Sequence, residues 1–316
     1  MLSYLLNAIL PVVLIIACGY FSRKKKLLPS EATVYLIEFI LKFTFPVLIF
    51  YDFSTTDIVN VWDTKFAITI IIAAVLTFIF AYLINRTILK RSSKEASIAG
   101  MACSWPNNVF MGIPILYFLF GKEAVTSTFI ATVLIMFTMF PISMAMLEKD
   151  QAVKGHFLLK IGLHKNPLVI ASVLGVLFSV FNIHLNDGIN RGLSLLSVPT
   201  ITIALFTAGM TIADSKIHIG KDVLLNVLLK NIFQPLLGLL LVFLFGMDGF
   251  WAAMVILNLA CPTANTPGMY AIRYGCYKLE ASNSILVTSI CYMFTIFVFY
   301  SIAIHYSVPV MNPVSI

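Results

Sequence analysis

Apolar residues in this chain come in runs near 20 long, separated by short polar stretches. A run of about 20 apolar residues makes a helix long enough to cross about 30 Å of hydrocarbon. Ten such runs are read, over 2–21, 32–53, 65–89, 95–120, 123–147, 165–183, 191–213, 221–246, 248–274 and 281–307. The predicted fold class is therefore an all-α membrane protein of ten transmembrane helices. Residues 148–164, between the fifth and sixth runs, read as a short amphipathic connector on the inner side.

Two of the runs are interrupted. The fourth carries Pro106-Asn107-Asn108-Val109-Phe110-Met111-Gly112-Ile113-Pro114, and the ninth carries Pro262-Thr263-Ala264-Asn265-Thr266-Pro267-Gly268. Proline within a helix removes one backbone hydrogen bond and clashes with the preceding turn, at about 3 kcal/mol. Broken backbone survives at membrane depth only where it faces protein or a wet cavity. Two interruptions at matching places predict a polar site between them, as in secondary transporters. Phe45-Pro46 in the second run and Val198-Pro199 in the seventh repeat the match. Five runs are an odd number, so two five-helix repeats, 1–147 and 165–316, would lie inverted in the membrane.

Charge adds orientation. Loops after the odd-numbered runs hold sixteen Lys and Arg, beginning with Arg23, Lys24, Lys25 and Lys26, whereas the other loops hold only Lys65, Lys122 and Arg191. Excess Lys and Arg marks the cytoplasmic side, which predicts both termini outside. The net charge of +7 is thus membrane topology and not a nucleic-acid surface. The basic cluster follows the first run, opposite to the charge order of a secretory leader, so that run is expected to be a retained helix. Sixty per cent hydrophobic residues, 11% charged residues and a mean hydropathy of +0.96 agree, since soluble domains carry about 25% charged residues.

The interruptions also carry the candidate chemistry. A half-helix starting near the midplane presents unpaired N–H groups and about half a positive charge, which binds anions without a full counter-charge. Asn107, Asn108 and Asn265 can add amide donors there, and Thr263 and Thr266 hydroxyls. The amide carbonyls could equally coordinate a cation, or the side chains could simply bond neighbouring helices. Lys42 sits mid-run with Glu38 one turn earlier. Two readings stand side by side: a cavity-facing cation that draws anions in, or an internal i,i+4 ion pair. For Glu38 the structural reading, a pair or an interfacial side chain, takes precedence. Lys230 lies inside the eighth run, either snorkelling or serving carbonyls freed near Pro235.

Several motifs resemble the auxin efflux carrier family. They are Cys18-Gly19-Tyr20-Phe21-Ser22-Arg23-Lys24-Lys25-Lys26-Leu27-Leu28, Pro106-Asn107 with Met111-Gly112-Ile113-Pro114, and Lys165-Asn166-Pro167-Leu168 with Gly175. Phe206-Thr207-Ala208-Gly209-Met210, and Lys230 with Pro235, fit the same pattern. Members include plant PIN-type auxin carriers and bacterial malonate or malate carriers, and the family fold is similar to that of bile-acid sodium symporters. The resemblance implies crossed, unwound fourth and ninth helices marked by Pro106 and Pro262, with Asn107 beside the substrate carboxylate. It implies an elevator-like alternating-access mechanism and a homodimer through helices 1, 2, 6 and 7. Asp63 and Lys65 stand where plant members have an acidic and a basic residue that could assist release, but a solvated pair at a helix end is the preferred reading. The long cytosolic loop of plant members is missing, so a small carboxylate is expected in place of auxin.

Other classes lack residues. No phosphate-binding glycine loop, G-x-S-x-G or H-E-x-x-H occurs, so neither an enzyme nor an ATP-driven pump is expected, and no cofactor. The five histidines show no metal-ligand spacing, and the five cysteines imply no disulfide framework. The expectation is a plasma-membrane secondary transporter of a small organic anion, with a sodium- or proton-coupled carrier holding a cation at the crossover as the alternative.

Overall fold

The computed structural model describes residues 2–29, 31–147, 167–214 and 218–306. The predicted connector at 148–164 lies outside them. Among the described residues the chain is helical, with no strand beyond one bridged residue pair. In chain order the helices are α1 (Leu2–Lys24), α2 (Ala32–Ser54), α3 (Thr64–Thr87), α4 (Ser93–Ser104), α5 (Asn108–Phe120) and α6 (Lys122–Leu147). They continue as α7 (Pro167–Val180), α8 (Asp187–Asp214), α9 (Lys221–Leu244), α10 (Gly249–Ala260), α11 (Thr266–Tyr274) and α12 (Lys278–Tyr306). Six of these, α2, α3, α6, α8, α9 and α12, are long and apolar enough to cross a membrane, and α5, α7 and α10 are shorter apolar helices. The fourth predicted run is occupied by α4 and α5 in tandem, the ninth by α10 and α11.

Local chemistry sets the ends. Ser92 and Glu95 form a reciprocal capping box at the start of α4, and the Asp63 carboxylate accepts from the Phe66 N–H at the start of α3. Each satisfies backbone donors that a helix N-terminus leaves bare. Helix α5 stops at Gly121, whose φ of 76° is a backbone state that glycine adopts without steric cost.

Prolines inside helices do not all break them. Pro46, Pro114 and Pro235 each lie two residues beyond a π-helical turn, at Ile40–Thr44, Asn108–Gly112 and Leu229–Phe233. The residue before each proline donates to the carbonyl five positions back: Phe45 to Ile40, Ile113 to Asn108, Gln234 to Leu229. The widened turn absorbs the missing proline donor and the ring's bulk without ending the helix. Pro114 therefore sits within regular helix, downstream of the interruption.

Glycine controls two close helix pairs. A Cβ on Gly19 would fall 1.9 Å from the Phe206 carbonyl oxygen, and one on Gly209 1.9 Å from that of Ile16. Helices α1 and α8 thus touch backbone to backbone, the packing that small residues permit in membranes. Gly175 brings α7 close to α2 as well, though less tightly: a Cβ there would lie 2.8 Å from the Phe53 Cβ and 3.1 Å from the Phe50 carbonyl oxygen. At the centre, Ala96–Ser104 of α4 and Ala252–Ala260 of α10 are buried at every position. Outside, large apolar side chains such as Phe43, Leu174, Leu195, Phe243 and Phe294 are exposed. So much exposed apolar surface suits hydrocarbon and not water.

Candidate functional site

The two interruptions meet. Pro106 and Thr263 form an antiparallel bridge, with the Asn107 N–H donating to the Pro262 carbonyl at 2.6 Å and the Ala264 N–H to the Trp105 carbonyl at 2.8 Å. Two stretches of extended backbone between half-helices thereby satisfy each other, as buried peptide groups must. The Thr263 hydroxyl donates to the Ala102 carbonyl at 2.7 Å. Ala102 would otherwise look to the N–H of residue 106, which proline lacks. The Thr263 N–H in turn donates to the Thr288 hydroxyl of α12.

Four half-helix ends converge here, and they separate by sign. Asn107 and Asn265 precede the first turns of α5 and α11, and neither makes a side-chain capping bond. Both border a cavity of about 610 Å³. On one side it is walled by α1, α2 and α8 through Val13, Ile16, Ile37, Ile40 and Thr207, and on the other by α5 and α12 through Phe110, Met111, Ser289 and Met293. Among the described residues no charged side chain lines it. The first turns of two helices, with their bare N–H groups and partial positive charge, thus border a mainly apolar chamber.

The remaining candidates are dispersed. Asn108 is buried with both amide atoms lacking a partner among the described residues, but it is not in the cavity wall. Thr263 is consumed by the crossing, and Thr266 opens α11 with Pro267 as the next residue. Proline at that point is favoured, because its missing donor is among those a helix start leaves bare anyway. Gly112 lies against Cys261, where a Cβ would come 2.8 Å from the sulfur.

Lys42 does not face the cavity. Its Nζ pairs with Glu38 at 2.7 Å, and both side chains are more than half exposed on the outer face of α2. The cavity-facing reading of Lys42 fails because α2 lines the cavity with Ile37 and Ile40, while Lys42 is exposed beside Glu38. Asp63 is occupied as a helix cap, and Lys65 donates to the Phe245 carbonyl at the end of α9. Lys230 does not snorkel. It is fully buried and donates to Gln234 Oε1 at 2.5 Å and to the Leu259 carbonyl, not to carbonyls near Pro235.

Some site residues escape a reading of the sequence. Thr207, Thr211, Ser282 and Ser289 give the cavity wall its hydroxyls, and small hydroxyl residues in apolar runs usually bond their own helix. Gln234 donates to the Ser104 carbonyl at 3.0 Å; its only signal is the position one turn after Lys230. Near the predicted inner ends of the helices, Arg91 grips Asp222 through two bonds of 2.9 and 2.6 Å, tying the start of α4 to α9. The hydrogen bond to that carboxylate holds the Arg91 guanidinium above its ordinary pKa.

Comparison with known proteins gives this geometry its family. A model for "Membrane transport protein" matches residues 4–300. The uncharacterized transporter YfdV of Escherichia coli K12 is 22% identical over 302 residues, covering 93% of this chain and 96% of that protein. A putative malonate transporter of Rhizobium meliloti (strain 1021) is 25% identical over 297 residues, covering 91% and 92%. Similarity runs the length of the chain and includes the crossing half-helices, so this protein belongs to the membrane transport protein family, that of the auxin efflux carriers.

Proposed function

We propose that this chain is a secondary carrier for a small organic anion, held where α5 and α11 begin. The observation that carries the reading is the shared cavity beside Asn107 and Asn265, which borders two positive helix ends and, among the described residues, no charged side chain. Neutral donors and helix dipoles bind a carboxylate while leaving its release inexpensive. The apolar walls favour a monocarboxylate with a hydrophobic body, since a dianion would leave its second charge against Ile, Phe and Met. A relative named as a putative malonate transporter supports a second reading, that of a dicarboxylate.

The architecture we propose is ten transmembrane helices in two inverted repeats, with both termini outside the plasma membrane. The spacing that takes Pro106 to Pro262 also takes Gly19 to Gly175 and Phe50 to Phe206. Gly19 packs on the Phe206 carbonyl and Gly175 on the Phe50 carbonyl, contacts that a two-fold relation between the halves exchanges. Helices α1, α2, α7 and α8 would be the static frame and the source of a homodimer contact. Helices α3–α6 and α9–α12 would carry the anion from side to side, as in alternating access between repeats.

Uptake by purified protein in liposomes tests this. Labelled aromatic and aliphatic monocarboxylates should accumulate, and dicarboxylates should compete weakly. Parallel runs with sodium or proton gradients decide coupling. A carrier that moves dicarboxylates and ignores monocarboxylates would favour the second reading; uptake of neither would reject both.

A further inference from the structure

The other two half-helix ends, the negative ones, are held by one side-chain unit. The last four carbonyls of any helix lack intrahelical donors and concentrate about half a negative charge. At the end of α10 the Leu259 carbonyl accepts from Lys230 Nζ at 3.0 Å, and at the end of α4 the Ser104 carbonyl accepts from Gln234 Nε2 at 3.0 Å. Lys230 Nζ also donates to Gln234 Oε1, so ammonium and amide form a single bridge between the two ends. Both side chains are fully buried, one turn apart on α9, where the π turn at Leu229–Phe233 widens the helix towards the crossing. The neighbouring side chains Cys103, Asn231 and Cys261 are uncharged thiols and an amide, and Lys230 makes no ion pair among the described residues.

In carriers built on broken helices, the C-terminal half-helix ends and unwound carbonyls are where coupling cations sit. We propose that Lys230 is a tethered cation that fills this place. Its ammonium neutralises the two negative ends from within the chain, and Gln234 fixes its direction. The ammonium thus already holds the Leu259 carbonyl and the Gln234 amide oxygen that a sodium ion would use, and anion binding at the opposite, positive ends has no sodium requirement. This rests on the carrier reading above, but its test does not need the transported anion.

The test is thermal unfolding of the purified full-length protein in sodium chloride, choline chloride and ethylammonium chloride at equal ionic strength. The wild type should unfold at one temperature in all three salts. Lys230→Ala should unfold roughly 5–10 °C lower in choline, since removing a buried charged partner strands the groups it served. Sodium or ethylammonium, small enough to enter the vacated place, should restore part of that loss; choline should not. Lys230→Gln, which retains donors but no charge, should respond to sodium in the same way. Saturable stabilisation of the wild type by sodium over choline would overturn the proposal even if neither variant folds. So would a folded Lys230→Ala indifferent to both small cations, or a Lys230→Gln protein that matches the wild type throughout. Failure of carboxylate uptake would leave these results standing, so the two proposals fail separately.

Discussion

Thr263→Val isolates the hydrogen bond that closes the crossing. Valine keeps the branched shape but deletes the hydroxyl that donates to the Ala102 carbonyl at 2.7 Å. That carbonyl is buried, and the residue that would serve it in a continuous helix is Pro106, which has no N–H. No water in hydrocarbon can step in. A buried acceptor stripped of its donor costs about 1–3 kcal/mol. With each kcal/mol worth about 2 °C in a chain of this size, the melting temperature should drop by roughly 2–6 °C. Tryptophan fluorescence of purified protein suits the assay, because Trp105 lies in the crossing itself and its backbone carbonyl accepts the next bond from Ala264. Its emission should shift before or with the global transition. If Thr263→Val melts at the wild-type temperature with an unchanged Trp105 spectrum, Thr263 does not hold the two interruptions together.

Other perturbations reach other parts of the structure. Pro106→Ala and Pro262→Ala permit continuous helix, at a gain of up to about 3 kcal/mol in local propensity, and should each reduce uptake strongly at normal membrane abundance. Pro262→Ala should be the milder, with Pro267 still downstream; full uptake by both would detach the interruptions from transport. Gly209→Val drives a Cβ into the Ile16 carbonyl and should cost about 3 kcal/mol or abolish folding, whereas Gly192→Ala, in open space within a helix, should leave the melting temperature unchanged or raise it slightly. Asp222→Asn weakens two charge-assisted bonds to Arg91 and should cost about 1–3 kcal/mol by thermal unfolding.

Most of the helices are legible in the chain because hydrocarbon imposes a length on an apolar run, although the run 165–183 yields, among the described residues, only the 14-residue α7. The run 65–89 becomes α3 at Thr64–Thr87, and the interruptions at Trp105–Asn107 and Cys261–Asn265 coincide with the Pro- and Asn-bearing stretches. Proline as a symbol is ambiguous, however. Pro106 lies in extended backbone, while Pro46, Pro114 and Pro235 are accommodated by π turns, and nothing local separates the two outcomes. Charged residues show the same limit. Lys42 and Lys230 both stand inside apolar runs, yet one faces outward beside Glu38 and the other is sealed against Leu259 and Gln234. Helix rotation and the identity of a partner some 30 residues away decide between them, and neither is written in periodicity.

Whether the anion sits at the paired helix starts is decided most directly by equilibrium binding of a monocarboxylate to three purified proteins: wild type, Asn107→Ala and Asn265→Ala. Neither amide caps its own helix and both border the cavity, so removing either should leave the fold intact. Losing donors to a charged ligand costs about 1–3 kcal/mol, which raises the dissociation constant by roughly 5- to 150-fold. That loss in each variant, at an unchanged melting temperature, is the expected result. Wild-type affinity in both would put the anion somewhere other than the start of α5 and α11.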